Sequence, residues 1–323
     1  MSNNNKNLAI IIPAYKTEYL EQTFESFVNQ TVKKFVIYVG DDNSPNNVKE
    51  IVDKFANTLN IVYKRFDENL GSVSLTKQWE RCINLSHEQW IWLFSDDDIV
   101  SRTAVENFYN AVENKPNSQL FKFFTKIIND DGKEVTLFFD KTNKKIDKIS
   151  PQYYLDKRLA HDRFRSYMVE YVFHRQLFEQ NKFVDFPLAW AADDATWIKY
   201  SLANGGIDII PDYVYWRYSG NNISSDKLNS HIVEKKLLAI EMYVNWLKKQ
   251  NKNKLVLDNK LLIRWTVAEV ASMFEDRLLL EKYIFNTYKD CFKENEIKDG
   301  LRHYYKVKRR AKILKFAKTF IGR

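Results

Sequence analysis

"IWLFSDDDIV" (residues 91–100) runs a block of large apolar side chains directly into three acids. An unbroken apolar run of this kind suits a strand covered on both faces. Adjacent carboxylates repel, so the run needs compensating positive charge, or else one acid keeps its proton. The stretch therefore reads as a buried strand that surfaces at a charged site.

Strands of the same type precede it: "LAIIIP" (8–13), "FVIYVGDD" (35–42) and "IVYKRF" (61–66), with "WIWLFS" (90–95) the fourth. Helical patterns separate them. Leu20, Phe24, Phe27 and Val28 share one face of the first helix. "SPNNVKEIVDKFA" predicts a helix with Ser44 as cap and Pro45 in its first turn. "SLTKQWERCINL" places Leu75, Trp79, Cys82 and Ile83 together. Alternating strands and helices predict an α/β fold with a mostly parallel sheet and right-handed crossovers. Ligands of such sheets bind beyond the carboxyl ends of the strands. Pro13, Ala14 and Tyr15, then Asp41 and Asp42, then Asp96, Asp97 and Asp98 all fall there.

After residue 115 the pattern changes. "QLFKFFTKII" and "EVTLFF" predict a hairpin around Asn129–Gly132. A helix near 150–159, a strand "VEYVF" (169–173) and a helix from about 174 follow. "WAADDATWIKYSLANGG" predicts a helix capped by Asp193 and stopped at Gly205-Gly206. "IDIIPDYVYWRYSGNNISS" closes the body, and the signals from 226 onward are helical.

Composition narrows the function classes. Hydrophobic residues make up 45% of 323, enough for a sizeable core. The net charge is +8, yet Lys306 to Arg323 carries eight basic residues and no acid, so the body is formally neutral. That disfavours a nucleic-acid partner. Cys82 and Cys291 form neither a metal spacing nor a disulfide framework, which suits a reducing compartment. The apolar stretch near the amino terminus is too short for a signal sequence, and no run approaches the ~20 apolar residues of a membrane span. A cytoplasmic location is expected. With no Gly-rich phosphate loop of either common pattern, phosphates must be held by metal and side chains.

The acids have bland readings beside the chemical ones. Asp98 or Ser101 could cap the helix "SRTAVENFYNAV", Asp41 or Asp42 could make an Asx turn, and Asp193 could be a cap. Chemically, adjacent acids suit a hard divalent cation whose shell is completed by substrate phosphates. Asp194, a step inside its helix and not needed for capping, is a candidate general base.

Together, "IIIPAYKTEYLEQTFESFVNQT", "FVIYVGDDNSPNN", "ENLGSVSLTKQWERCINL", "WIWLFSDDDIV" and "WAADDATWIKYSL" resemble the glycosyltransferase family 2 enzymes of the GT-A fold, which are inverting and use nucleotide sugars. The resemblance covers about residues 7–220. It implies a Rossmann-like, mostly parallel central sheet flanked by helices, in a catalytic domain over 1–225 with a helical extension over 226–323. It also implies that Pro13, Ala14 and Tyr15 line the nucleotide pocket and that Asp42 contacts the base, expected to be uracil. Asp96, Asp97 and Asp98 would cover the family's DxD element. Asp96 and Asp97 would then meet the nucleotide sugar, and Asp98 with Asp96 a Mn²⁺ or Mg²⁺ ion, although which acid holds the metal stays open. Asp194 would be the catalytic base, and Arg217 would belong to a loop closing over the diphosphate. Ser95, Asp193 and Lys77-Gln78 depart from the family's usual residues, and Tyr218 and Ser219 stand near a loop histidine's place.

The implied partners are a nucleotide-sugar donor and a glycan or lipid-linked acceptor, as in surface polysaccharide synthesis. The last helix aligns Val307, Ala311, Leu314, Ala317 and Ile321 among Lys and Arg, a composition suited to peripheral contact of residues 302–323 with an anionic membrane or to docking on its own domain. The helical extension also leaves room for a homo-oligomer. The competing classes are a catalytically inactive sugar-binding scaffold and a nucleotidyltransferase.

Overall fold

The computed structural model describes residues 8–135, 146–160, 164, 166–218, 229–250 and 255–321, with 312–321 described as backbone only. β1 (Leu8–Ala14), β2 (Phe35–Asp41), β3 (Ile61–Arg65) and β4 (Trp90–Leu93) pair in parallel in the order β3-β2-β1-β4. Leu8 to Ile12 are wholly buried at the centre, as their unbroken apolar sequence requires. α1 (Leu20–Val28), α2 (Val48–Phe55) and α3 (Leu75–Ile83) are the connecting helices.

One expected cap moves. Asn47, not Ser44, caps α2 by accepting the Glu50 N–H. Ser44 is already engaged: its N–H donates to Asp41 Oδ1 at 2.8 Å and its hydroxyl to the Tyr15 carbonyl at 2.5 Å. These bonds hold Ser44 ahead of the helix and leave the cap to Asn47, past Pro45.

The second half of the sheet is mixed. Its elements are β5 (Ile99–Val100), α4 (Ala104–Asn114), β6 (Leu120–Ile128), β7 (Lys148–Ile149), α5 (Pro151–Leu159), β8 (Tyr171–His174), α6 (Arg175–Asn181), α7 (Ala192–Asn204) and β9 (Ile207–Arg217). β8 runs antiparallel to β4 and β6, while β6 runs parallel to β9. The full order is β3-β2-β1-β4-β8-β6-β9-β5, with β7 on β9. β6 is therefore a central strand, and its end also enters the expected hairpin, where the Val135 N–H donates to the Ile127 carbonyl at 2.8 Å. The expected turn does form, with Gly132 N–H donating to the Asn129 carbonyl at 2.9 Å and Ile128 bridging Glu134. Most of "EVTLFF" lies outside the described residues.

The β6–β9 ladder slips between Phe123 and Phe124. Ile210 lies opposite Phe123 and Tyr213 opposite Phe124, so Pro211 and Asp212 bulge. Pro211 has no N–H to give a central ladder, which is why the slip falls there. Asp212 then accepts Ser101 Oγ at 2.6 Å, Thr103 Oγ1 at 2.9 Å and Asn107 Nδ2 at 2.8 Å. These bonds tether the start of α4, so neither Asp98 nor Ser101 serves as its cap; Thr103 holds that position.

Between sheet and helices sits an aromatic core. Trp92 stacks on Phe123 with centroids 4.7 Å apart and meets Phe27 and Phe94 edge-on. Its indole N–H donates to the Val169 carbonyl at 2.8 Å. Each such buried side chain contributes roughly 1.5–3 kcal/mol.

Met1–Tyr154 with Arg163–Asp226 forms one compact unit, and Leu155–Asp162 with Lys227–Arg323 a second. The second contains α8 (Ser230–Gln250), α9 (Asn259–Ala271), α10 (Arg277–Tyr288) and α11 (Glu294–Ile321). Ile240, Tyr243, Val244, Leu262, Ile263 and Ile284 are buried within it. On α11, Val307 and Ala311 of the expected apolar stripe are exposed, and Leu314, Ala317 and Ile321 fall where only backbone is described. Among the described residues no helix is long and apolar enough to cross a membrane.

Candidate active site

β8 runs against β4 and β6, and β6 runs with β9. The carboxyl ends of β1, β2, β4, β6 and β9 and the amino end of β8 therefore share one edge of the sheet. The sequence-predicted site residues on the sheet reach that edge.

Asp96 is clamped to the end of β1. Its Oδ2 accepts the backbone N–H of Tyr15 and of Lys16, each at 2.8 Å. Desolvation, then the charge of Asp97, pushes its carboxyl up to about 6 against those two donors. Asp97 is raised by desolvation and drawn back by Lys16, Ser95 and Arg217. Asp98 turns inward and is 2% exposed. Its Oδ1 accepts the Arg217 backbone N–H at 2.8 Å and its Oδ2 the Ser95 hydroxyl. Burial, then Asp97, raises it well above the carboxylate range. Both oxygens of Asp98 are thus committed to the protein, unlike the expected metal ligand, whereas Asp96 and Asp97 are only half-buried.

Arg217 also departs from its expected place. It is the last residue of β9 and is wholly buried. Its Nε donates to the Asp97 carbonyl at 2.8 Å, Nη1 to the Asn129 and Asp130 carbonyls at 2.9 and 3.0 Å, and Nη2 to Gln22 Oε1 at 2.7 Å. The guanidinium lies 4.1 Å from the Tyr19 ring centre. The segment after Tyr218, where a closing loop was expected, lies outside the described residues.

Beyond β2 the acids are engaged differently. Asp41 is wholly buried and accepts Tyr63 Oη at 2.6 Å and Arg65 Nη1 at 2.9 Å besides the Ser44 N–H. Asp42 accepts the Leu70 N–H at 2.8 Å and the Gly71 N–H at 2.9 Å, and pairs with Arg81. A side chain at Gly71 would put its Cβ 2.5 Å from Asp42 Oδ2, so the loop closes this tightly only around glycine. The Arg81 guanidinium covers the Phe66 ring at 3.9 Å. Asp42, expected to contact a base, is tied to the loop over 68–71. Tyr15 is 41% exposed, Pro13 half-buried and Ala14 buried.

Asp194 lies in the first turn of α7, 3% exposed, and its Oδ1 accepts the Tyr154 hydroxyl at 2.9 Å. Asp193 does not cap the helix: Ala191 does, in left-handed backbone, and Asp193 Oδ1 accepts the Asp194 N–H at 2.9 Å. Leu188, Ala189 and Ala191 all have φ between 51° and 58°. Left-handed backbone costs a non-glycine residue roughly 1–2 kcal/mol, and strain of this kind gathers at functional sites. The helix stops at Gly205, as expected.

Among the described residues no cluster of three or more His, Cys, Asp or Glu side chains is arranged to hold a metal. The half-buried carboxylates of Asp96 and Asp97, desolvated and mutually repelling, do fit a hard cation whose remaining ligands are water and substrate phosphate.

Lys16, Arg81, Tyr154, Ser166 and Tyr171 escaped the sequence reading, and Ser44 was expected only as a helix cap. Arg81 shares α3 with Lys77, so nothing in the sequence singles it out as the partner of Asp42.

The glycosyl transferase family 2 profile matches residues 9–172, just over half of the 323-residue chain, and the chain belongs to that family. The glycosyltransferase GlyG of Streptococcus pneumoniae is 30% identical over 109 residues, 33% of this chain and 36% of GlyG. The match thus spans about a third of that relative's length. An uncharacterized glycosyltransferase of Methanocaldococcus jannaschii is 23% identical over 212 residues, covering 64% of this chain and 69% of its own. Among solved structures, S. aureus TarS in complex with UDP-GlcNAc superposes with a TM-score of 0.58 at 15% identity, covering 94% of this chain and 92% of that one. The mannosyltransferase PcManGT of Pyrobaculum calidifontis, in complex with GDP-Man and Mn²⁺, gives 0.50 at 13% identity, covering 91% and 84%. These likenesses establish the GT-A fold.

Proposed function

We propose that this chain is an inverting glycosyltransferase that moves a sugar from a nucleoside-diphosphate donor to a hydroxyl of a glycan or lipid-linked acceptor. The observation that carries the reading is the gathering of Tyr15, Asp96, Asp97 and Arg217 at one sheet edge, with Asp194 tied to the same edge through Tyr171 at the start of β8. β8 pairs Val172 with Trp92, so Tyr171 lies beside the end of β4, where the triplet emerges.

In this mechanism Asp194 removes the proton of the acceptor hydroxyl, which attacks the anomeric carbon opposite the leaving diphosphate. Asp96 and Asp97 are the residues that would hold Mn²⁺ or Mg²⁺. A cation bound there supplies Lewis-acid neutralisation of the leaving group. Asp98 and Arg217 hold the triplet's backbone, and Pro13, Ala14, Tyr15 and Asp42 shape the nucleotide pocket, Asp42 through the loop it ties down. TarS is known in complex with UDP-GlcNAc, which supports a UDP-linked donor. The exposed Val307 among Lys306, Lys308, Arg309 and Arg310 supports peripheral attachment to an anionic membrane.

General-base assistance is typically worth ~10²–10⁴-fold. Asp194→Asn is expected to lose that much turnover, read as nucleoside diphosphate released from a nucleotide-sugar panel, with donor affinity within a few-fold. Wild-type turnover by the variant would remove Asp194 from the mechanism.

A further inference from the structure

A line of buried hydroxyls leads away from Asp194, and the mechanism above gives it no task. Tyr154 Oη donates to Asp194 Oδ1 at 2.9 Å and lies 2.8 Å from Ser166 Oγ, which lies 2.7 Å from Tyr171 Oη. Tyr154 and Tyr171 are wholly buried and Ser166 is 7% exposed. Each hydroxyl carries one proton. Tyr154 gives its proton to the carboxylate, so Ser166 must donate to Tyr154, and Tyr171 to Ser166. The line has one direction, and every donor points towards Asp194.

Its far end is fixed. The Tyr171 ring stacks on Trp197 with centroids 4.0 Å apart. Lys122 and Glu170, 3% and 1% exposed, form an ion pair at 2.6 Å, and the Lys122 ammonium is 5.7 Å from the Tyr171 ring centre. Burial, then the Glu170 charge, holds the Tyr171 phenol well above its ordinary range, so the terminal proton stays in place. Titratable groups around the line include, among the described residues, Tyr154 on α5, Asp193 and Asp194 on α7, Tyr171 on β8, Lys122 on β6 and Glu170 just before β8.

We propose that Tyr154 is a positioning residue for the base: its hydroxyl, ordered by Ser166 and Tyr171, fixes the Asp194 carboxylate in the orientation that takes the acceptor's proton. The inference rests on the reading of Asp194 as general base. Oriented hydrogen bonds in a row strengthen one another, and a bond to a charged acceptor is among the stronger kinds.

A double-mutant cycle tests it on the full chain with Mn²⁺, using whichever of UDP-GlcNAc, UDP-glucose, UDP-galactose or GDP-mannose the wild type turns over. Tyr154→Phe is expected to lower kcat roughly 10- to 100-fold with donor KM within about 2-fold. In the Asp194→Asn background the same change should cost less than about 3-fold, because the carboxylate it serves is gone. An equal loss in both backgrounds, or no loss in the wild type, overturns the proposal. If Tyr154→Phe fails to fold by circular dichroism, Ser166→Ala takes its place, with a smaller loss of the same background dependence; the absence of that dependence also overturns it. Full turnover by Asp194→Asn, or a wild type inert on every donor, would instead sink the reading beneath it.

Discussion

Asp41 and Asp42 follow β2, Asp96, Asp97 and Asp98 follow β4, and the two groups meet their charge by different means. After β2, Arg65 pairs with Asp41 at 2.9 Å and Arg81 with Asp42. After β4, Asp96 and Asp98 are held by backbone N–H groups and a serine hydroxyl, and both carboxyls are raised. Acids paired with arginine shape loops. Acids held by neutral donors keep an appetite for positive charge, which a cation arriving with the substrate would satisfy. Similar sequence at equivalent strand ends thus serves architecture in one case and, on the proposed reading, chemistry in the other.

The widest separation is expected in activity. Asp97→Asn should lower nucleoside diphosphate release by at least ~10²-fold, and chelation of the wild type should do the same until Mn²⁺ or Mg²⁺ is restored. Asp97→Asn should not lower the melting temperature, since it relieves repulsion with Asp96. Full activity in chelator would erase the distinction between the two groups.

Next in size is a loss of stability on the β2 side. Asp41→Ala strands the Tyr63 hydroxyl and the Ser44 N–H and leaves the Arg65 guanidinium only its bonds to Asn43 and the Ser44 carbonyl. Urea unfolding should register a loss of about 2–3 kcal/mol. A loss below ~0.5 kcal/mol would mean that Asp41 is not architectural.

The smallest effect is in pH dependence. The folded chain binds the Asp96 proton more tightly than the unfolded chain does, with the carboxyl raised to about 6. Its contribution to folding is therefore complete below the ordinary carboxylate range and is lost as pH rises through about 6. In chelator, the fall in melting temperature between pH 4.5 and 7 should be shallower for Asp96→Asn than for the wild type, by an amount on the order of a few degrees. Parallel curves would show that the triplet carries no strain of charge.

The parallel half of the sheet was legible because each strand is an unbroken apolar run and each helix shows its period. β1 through β4 stand within a residue or two of where the sequence placed them. The mixed half was not, because β6 finds its partners, β8 and β9, some fifty and ninety residues away, and no local pattern encodes that choice. The acids were visible for the same reason the parallel strands were: they end apolar runs. Their donors were hidden. Tyr154 reaches Asp194 from another element, with Ser166 and Tyr171 behind it, and the Tyr15 and Arg217 bonds to the triplet exist only once the sheet is assembled. Capping was misjudged at Ser44 and Asp193 because tertiary bonds claimed one side chain and left-handed backbone at Ala191 replaced the other.

The bulge at Pro211 and Asp212 acts as a vernier. By slipping the ladder two places, it brings Arg217 level with Ile128 instead of two rungs beyond the end of that strand. Only at that setting does the Arg217 amide meet Asp98, while Asp212 anchors the chain that leaves the triplet on its far side. The calibration of the acids is thus set by a missing proton on one imino nitrogen, placed several residues upstream in a neighbouring strand.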